Sequence, residues 1–173
     1  IGICMPGLVR HYYDRRFWPA KFETCNDDKV LSWLESHLCM IPMFPRRPGC
    51  SVVEGSMLGP ASGSHGPAAS EEEIRAVVAQ LSSAAAACWE AILACDLEAF
   101  AKAYGDSFNA QITLFPAMIQ SGVQDYIDAY SSEALAWKMP GAGGGGYLAL
   151  VVDDAATFCA AHPDAIKLTI RRS

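Results

Sequence analysis

The chain has 173 residues, 51% apolar and 18% charged, a globular composition long enough for one domain with a sizeable core. The net charge is −6, and Arg10, Arg15, Arg16, Arg46, Arg47, Arg171 and Arg172 are scattered as singles and pairs, which speaks against a nucleic-acid-binding face. Polar residues or turn formers interrupt every apolar stretch well before 18 positions, so no membrane-spanning segment is expected.

Residues 1–13 read as an extended segment with a turn at Pro6-Gly7, followed by an aromatic and basic stretch over 14–25. Asn26 or Asp27 is placed to cap a short helix, because Val30, Leu31, Leu34 and Leu38 recur at helical spacing. Leu38 to Phe44 is an apolar run read as a strand, with Pro42 favouring a sheet edge or the strand's end. Residues 45–69 are rich in Pro, Gly and Ser and predict a long flexible loop. Ser70 and Glu73 form a capping-box pair. Ile74, Val77, Val78, Leu81, Ala85, Cys88 and Ile92 then mark one face of a long helix. Asp96 caps a second helix with Leu97, Phe100, Ala101 and Tyr104 inward. A third runs from Ser107 to Gln120, bent or broken near Pro116, and a fourth carries Val123, Tyr126, Ile127 and Tyr130.

After Ala134 the period changes. Residues 134–139 read as a strand, and Tyr147 to Val152 is the clearest strand in the chain. Asp153 or Asp154 caps a short helix from Ala155 to Ala161, and Ile166 to Ile170 alternates as a half-buried strand does. The order predicts an α+β fold, with helices packed on one face of a mostly antiparallel four-stranded sheet.

Most candidate chemistry dissolves into structure. The seven cysteines are odd in number and contain no CxxC pair, and Cys88 and Cys95 lie about 10 Å apart along one helix face. They read as reduced thiols acting as small apolar groups. His11, His37, His65 and His162 do not fall at metal-ligand spacing, so no metal is expected. Asp153-Asp154 and Glu71-Glu72-Glu73 sit at helix starts, where carboxylates cap exposed N–H groups.

One segment resists that treatment. Lys138-Met-Pro-Gly-Ala-Gly-Gly-Gly-Gly-Tyr147 places four consecutive glycines between two otherwise well-formed strands. Each glycine costs backbone entropy on folding, so either the chain takes φ > 0 repeatedly there or another group approaches it closely. A phosphate cradle needs both properties, and a floppy hairpin turn is the alternative. The run lacks the Gly-Lys-Ser/Thr ending of a P-loop, and it leads into a strand where a dinucleotide fingerprint leads into a helix.

This strand–GAGGGG–strand segment resembles the third signature motif of the GHMP small-molecule kinases. The resemblance extends over residues 71–171 through the helix pair at Asp96 to Tyr104 and the strand–helix–strand ending. The front segment, carried by Pro6-Gly-Leu-Val-Arg-His-Tyr-Tyr13, Trp18-Pro19, Glu23 and Trp33-Leu34-Glu35, is similar to the fucokinase and heptose kinase branch. The resemblance implies a GHMP-type C-terminal domain of ferredoxin-like topology at 38–173, with residues 1–37 as the tail of a preceding kinase domain or a substrate-lining segment. It implies that Gly141, Ala142, Gly143, Gly144, Gly145 and Gly146 support the ATP phosphate loop. It also implies a sugar as substrate, with ATP and Mg²⁺ as cofactors of the complete enzyme. Arg10, His11, Tyr12, Tyr13 and Trp18 are then candidates for the sugar pocket; the alternative is that alternate residues of an extended segment simply pack inward.

No Ser-rich loop of the PxxxGLGSSS type occurs in the chain, and in this family the catalytic Asp lies just before an Ile-Gly like Ile1-Gly2. The first residue is Ile, which suggests a fragment or a processed product. The expected function is therefore the C-terminal portion of an ATP-dependent sugar kinase, phosphorylating a sugar hydroxyl, in particular the anomeric one. It is expected to be inactive without the N-terminal half of the enzyme. The alternative is a non-catalytic sugar-binding or protein-interaction module. No basic n-region followed by an apolar h-region opens the chain, so no signal peptide is expected and the cytoplasm is the expected location.

Overall fold

The structure, a computed structural model, describes residues 5–14, 16–46, 56–58, 69–141 and 143–172. The loop expected at 45–69 thus falls outside the described residues except at 45–46, 56–58 and 69. Among the described residues the chain is α+β, with five α-helices and two antiparallel sheets. Strands β1 (Leu8–Tyr12) and β2 (Lys21–Cys25) form a hairpin. Helix α1 (Asp28–His37) leads directly into β3 (Leu38–Pro42). Helices α2 (Glu71–Ala94), α3 (Leu97–Leu114) and α4 (Val123–Tyr130) follow. Strands β4 (Ala136–Lys138) and β5 (Tyr147–Val151), helix α5 (Ala155–Ala161) and strand β6 (Ile166–Lys167) complete the order. The second sheet has the order β4-β5-β3-β6, each neighbour antiparallel.

The helix starts follow from side-chain caps. Asp27 accepts from the N–H groups of Lys29 and Val30, Asp96 from Ala99 and Asp154 from Thr157. Ser70 and Glu73 close a reciprocal capping box. The expected second and third helices are one: α3 runs unbroken through Gly105, whose added Cβ would meet nothing nearer than 4.0 Å. One glycine costs an interior helix only about 1 kcal/mol, which packing against β4 readily offsets. The break comes at Pro116, where a 3₁₀ turn (Pro116–Met118) begins. Pro42 ends β3, a central strand. Strand β2 adds an element that the aromatic stretch over 14–25 did not announce.

The sheet is buried on both faces, not on the one expected. Cys39, Ile41, Leu148, Leu150 and Val152 pack with Phe108, Met118, Val123, Ile127 and Phe158. The opposite phase, Ala136 and Val151, packs with Leu34, Ala91, Phe100 and Ala101, joined by Leu8 and Trp33. The register pairs Trp137 with Leu150 and Ala136 with Val151, so the two clusters sit on opposite sides of the same strands. Helices α1 and α2 and the first half of α3 cover the second face. Residues of the front segment therefore share a core with the β4–β5 hairpin.

Helix α2 is 24 residues long, with an 18-residue window of mean hydropathy 1.5, long and apolar enough to pass as a membrane span by length and composition. Only 17% of that window is buried. Of the face expected to pack, Val78 and Ala85 are exposed, and the small Ala84 and Ala91 make the deepest contacts.

The C-terminal end is tied to α1. Arg172 Nη2 donates to Glu35 Oε2 at 2.9 Å and to Ser32 Oγ at 3.2 Å, while Glu35 also accepts the Ile170 N–H. The Arg172 guanidinium holds the Glu35 carboxyl below its ordinary pKa, against a smaller opposing effect of burial. A lowered carboxylate pKa contributes stability that is present above the unfolded value, near 4.3, and is lost as pH falls through the folded one. Urea denaturation from pH 7 to pH 3 is expected to show that acid limb, and Glu35→Gln is expected to flatten it.

Candidate functional site

The glycine run joins β4 to β5 and is packed, not floppy. Gly141, Gly143, Gly144, Gly145 and Gly146 all have positive φ, between 69° and 136°, a region that side chains with a Cβ strongly disfavour. Ala142 lies outside the described residues. A Cβ on Gly145 would stand 2.7 Å from the Phe44 carbonyl oxygen and 2.9 Å from the Arg46 nitrogen; one on Gly143 would stand 2.7 Å from Met118 Cε. At Gly141 and Gly146 nothing lies within 4 Å, so their glycines answer to backbone conformation alone.

The run's amides are partly committed within the chain. The Gly144 N–H donates to the Met118 carbonyl at 3.1 Å, and the Gly146 N–H to the Phe44 carbonyl at 2.9 Å. The Gly146 carbonyl accepts from the Met43 N–H at 2.8 Å, which carries the β3–β5 pairing past Pro42. Gln111 Nε2 reaches the Gly141 carbonyl at 3.4 Å, while its Oε1 is buried without a hydrogen-bond partner among the described residues. The run therefore bridges the end of α3, the 3₁₀ turn and the exit of β3. An anion cradle needs converging free N–H groups, and two of these point into the protein. No group of three or more His, Cys, Asp or Glu side chains is placed to hold a metal among the described residues.

Sequence reasoning assigned no role to Lys138, which precedes the run. It lies in the same strand phase as Ala136 and so points toward α2 and α3. Its Nζ donates to the buried Ser107 Oγ at 2.5 Å, and no carboxylate pairs with it among the described residues. Burial lowers its pKa, and burial also pushes the neighbouring Cys88 thiol up to about 11. Leaving one buried partner unsatisfied costs more than removing both. Ser107→Ala is thus expected to destabilise the fold by about 1–3 kcal/mol, and Ser107→Ala with Lys138→Met to recover most of the loss in the same urea titration.

The five candidate sugar-pocket residues do not converge. The hairpin register pairs Arg10 with Glu23, His11 with Phe22 and Tyr12 with Lys21, so alternation puts Arg10 and Tyr12 on one face and His11 on the other. Arg10 lies 4.6 Å over the Tyr12 ring and 3.7 Å from Glu90 of α2, and the Tyr12 hydroxyl donates to Glu23 at 2.7 Å. That hydrogen bond, more than burial, raises the Tyr12 pKa. The Arg10–Glu90 pair ties the hairpin to α2, and the other two contacts lie within the hairpin. His11 Nε2 is buried with no hydrogen-bond partner among the described residues, so it is not presented to a ligand in solvent. Tyr13 and Trp18 are exposed, beyond the strands.

Compared with protein-family models and with curated proteins, the chain matches none.

Proposed function

We propose that this chain is the C-terminal portion of an ATP-dependent sugar kinase of the GHMP type, transferring the γ-phosphoryl of ATP to a sugar hydroxyl, in particular the anomeric one. The observation that carries the reading is the glycine run itself. It is a run of positive-φ glycines pinned between Met118 and Phe44, joining β4 to β5, with the Gly144 and Gly146 amide donors spent inside the chain. A segment built this way stiffens a neighbouring loop. The sheet order supports the same reading. Strand, helices, strand, strand, helix, strand in the order β4-β5-β3-β6 is the split β-α-β arrangement of ferredoxin-like folds, which GHMP C-terminal domains share.

The described residues do not by themselves fit Mg²⁺ and ATP: two of the run's amides are committed within the chain, and no cluster of three or more His, Cys, Asp or Glu side chains is placed to hold a cation among them. In the proposed enzyme, the phosphate loop and the catalytic Asp come from the N-terminal half, and the run holds that loop in position. Phosphoryl transfer depends on positioning and charge stabilisation around the phosphates, so the chain alone supplies neither. A coupled assay for ADP release, with a panel of free sugars, tests this. The product of the complete reading frame is expected to turn over and residues 1–173 alone are not. Turnover by residues 1–173, or none by the complete product with any sugar, would overturn the reading.

The second reading is a non-catalytic sugar-binding module, favoured by the exposed aromatic residues of the hairpin tip. ADP release separates the two.

A further inference from the structure

Two thiols from elements far apart in the chain meet under helix α5. Ala155, Phe158 and Cys159 fall at i, i+3 and i+4, the spacing of one helix face. All three pack in the core cluster to which β3 contributes Cys39 and Ile41. Cys39 and Ile41 share one side of their strand, and α5 lies against that strand. The Cys39 S–H donates to the Cys159 sulfur. Cys39 is wholly buried, Cys159 is half-buried, and both thiols are free. Of the other described cysteines, Cys25 is buried at the end of β2, and Cys88 and Cys95 stand about two turns apart on α2 and its C-cap.

The unequal exposure of the two sulfurs assigns their roles. Thiol–disulfide exchange begins at the thiolate that a reagent can reach. Burial, with a smaller contribution from Cys159, pushes the Cys39 thiol up to about 12, so Cys39 does not begin it. The half-buried Cys159 does. Its thiolate attacks a low-molecular-weight disulfide, forming a mixed disulfide and releasing one small thiolate. Cys39 then gives up its proton and attacks the Cys159 sulfur, and the second small thiolate leaves. Two protein thiols thereby lose two electrons and two protons, and the small disulfide becomes two thiols. Sulfurs already in contact need only a small χ1 turn to reach the bonding distance of about 2.05 Å. The product carries no charge and no S–H, so the apolar core accepts it more readily than a thiolate.

We propose that Cys39 and Cys159 form a thiol–disulfide switch, closed by a small disulfide such as oxidised glutathione and opened by reduction, that clamps α5 to the central strand β3. The two residues are about 120 positions apart in the chain, and closing so long a loop strongly restricts the unfolded state. The oxidised protein is expected to melt about 5–10 °C higher than the reduced one. The switch belongs to the core of this chain and does not depend on whether the complete protein is a kinase.

The test is incubation of the folded chain with oxidised glutathione, then alkylation of the remaining thiols and tryptic mapping without reductant. Trypsin places Cys39 in peptide 30–46 and Cys159 in peptide 139–167, each with no other cysteine. The expected result is these two peptides joined, and a rise in melting temperature that dithiothreitol reverses. Cys159→Ser is expected to leave Cys39 unmodified until urea unfolds the chain, and to abolish the rise. Should that variant fail to fold, Cys159→Ala, which keeps a small apolar side chain, serves in its place. Cys159 left unmodified, carrying glutathione beside a free Cys39, or joined to any other cysteine overturns the proposal. So does a Cys39–Cys159 link that forms only in urea, or one that leaves the melting temperature unchanged.

Discussion

Gly145→Ala is expected to lower the unfolding free energy by about 3 kcal/mol or more, the largest loss from any single methyl group added to the glycine run. The new Cβ would sit 2.7 Å from the Phe44 carbonyl oxygen and 2.9 Å from the Arg46 nitrogen, both backbone atoms, at a φ of +136°. Backbone cannot rotate away as a side chain can, so the β3 exit must shift and carry the Gly146–Phe44 hydrogen bond with it. Gly143→Ala meets mainly Met118, whose Cε at 2.7 Å can swing aside although its Cβ at 2.9 Å cannot, and about 2 kcal/mol is expected. Gly141→Ala meets nothing and is expected to cost about 1 kcal/mol for its left-handed φ. Urea unfolding of the three variants checks the ranking. A Gly145→Ala variant as mild as Gly141→Ala would mean that the run is not packed on the Phe44–Arg46 segment.

The second large effect concerns the sheet. Leu150→Ala is expected to cost about 3–5 kcal/mol, because Leu150 is fully buried among Ile41, Met118 and Phe158 and its loss leaves a cavity. Val151→Ala, one residue on and facing the other way, is expected to cost about 2 kcal/mol against Leu34 and Phe100. A sheet covered on one face only would make the second change nearly neutral. Thermal melts of the two variants therefore read both faces independently.

These residues also show what the sequence could reveal. Asp27, Ser70 with Glu73, Asp96 and Asp154 are legible because a cap is a local contract between one side chain and the N–H groups two or three residues on. Strand β5 is legible from its own unbroken apolar run, Leu148 to Val151 continuing into Val152, which carried the sign of two-sided burial that a strictly alternating strand lacks. The continuity of α3 through Gly105 was not legible, since the packing that holds it comes from β4, some thirty residues later. The sugar-pocket candidates were chosen by type, and only the register of the hairpin divides them between faces. The glycine run announced that something comes close to it. That the partners are Met118 and the β3 exit, one of them a hundred residues away in the chain, is a tertiary fact. Lys138 was hidden because a lysine at the end of a short strand reads as solvated until the Ser107 side chain of α3 is seen to receive it.

The role of the glycine run as a support is tested most directly at its own amides. In ¹⁵N-labelled residues 1–173, Gly144 and Gly146 are expected to exchange slowly with deuterium and to hold their chemical shifts when Mg²⁺ and ATP are added, because their N–H groups already donate to Met118 and Phe44. Rapid exchange at both glycines, with saturable shifts on adding the nucleotide, would contradict that role and make the run a phosphate cradle in its own right.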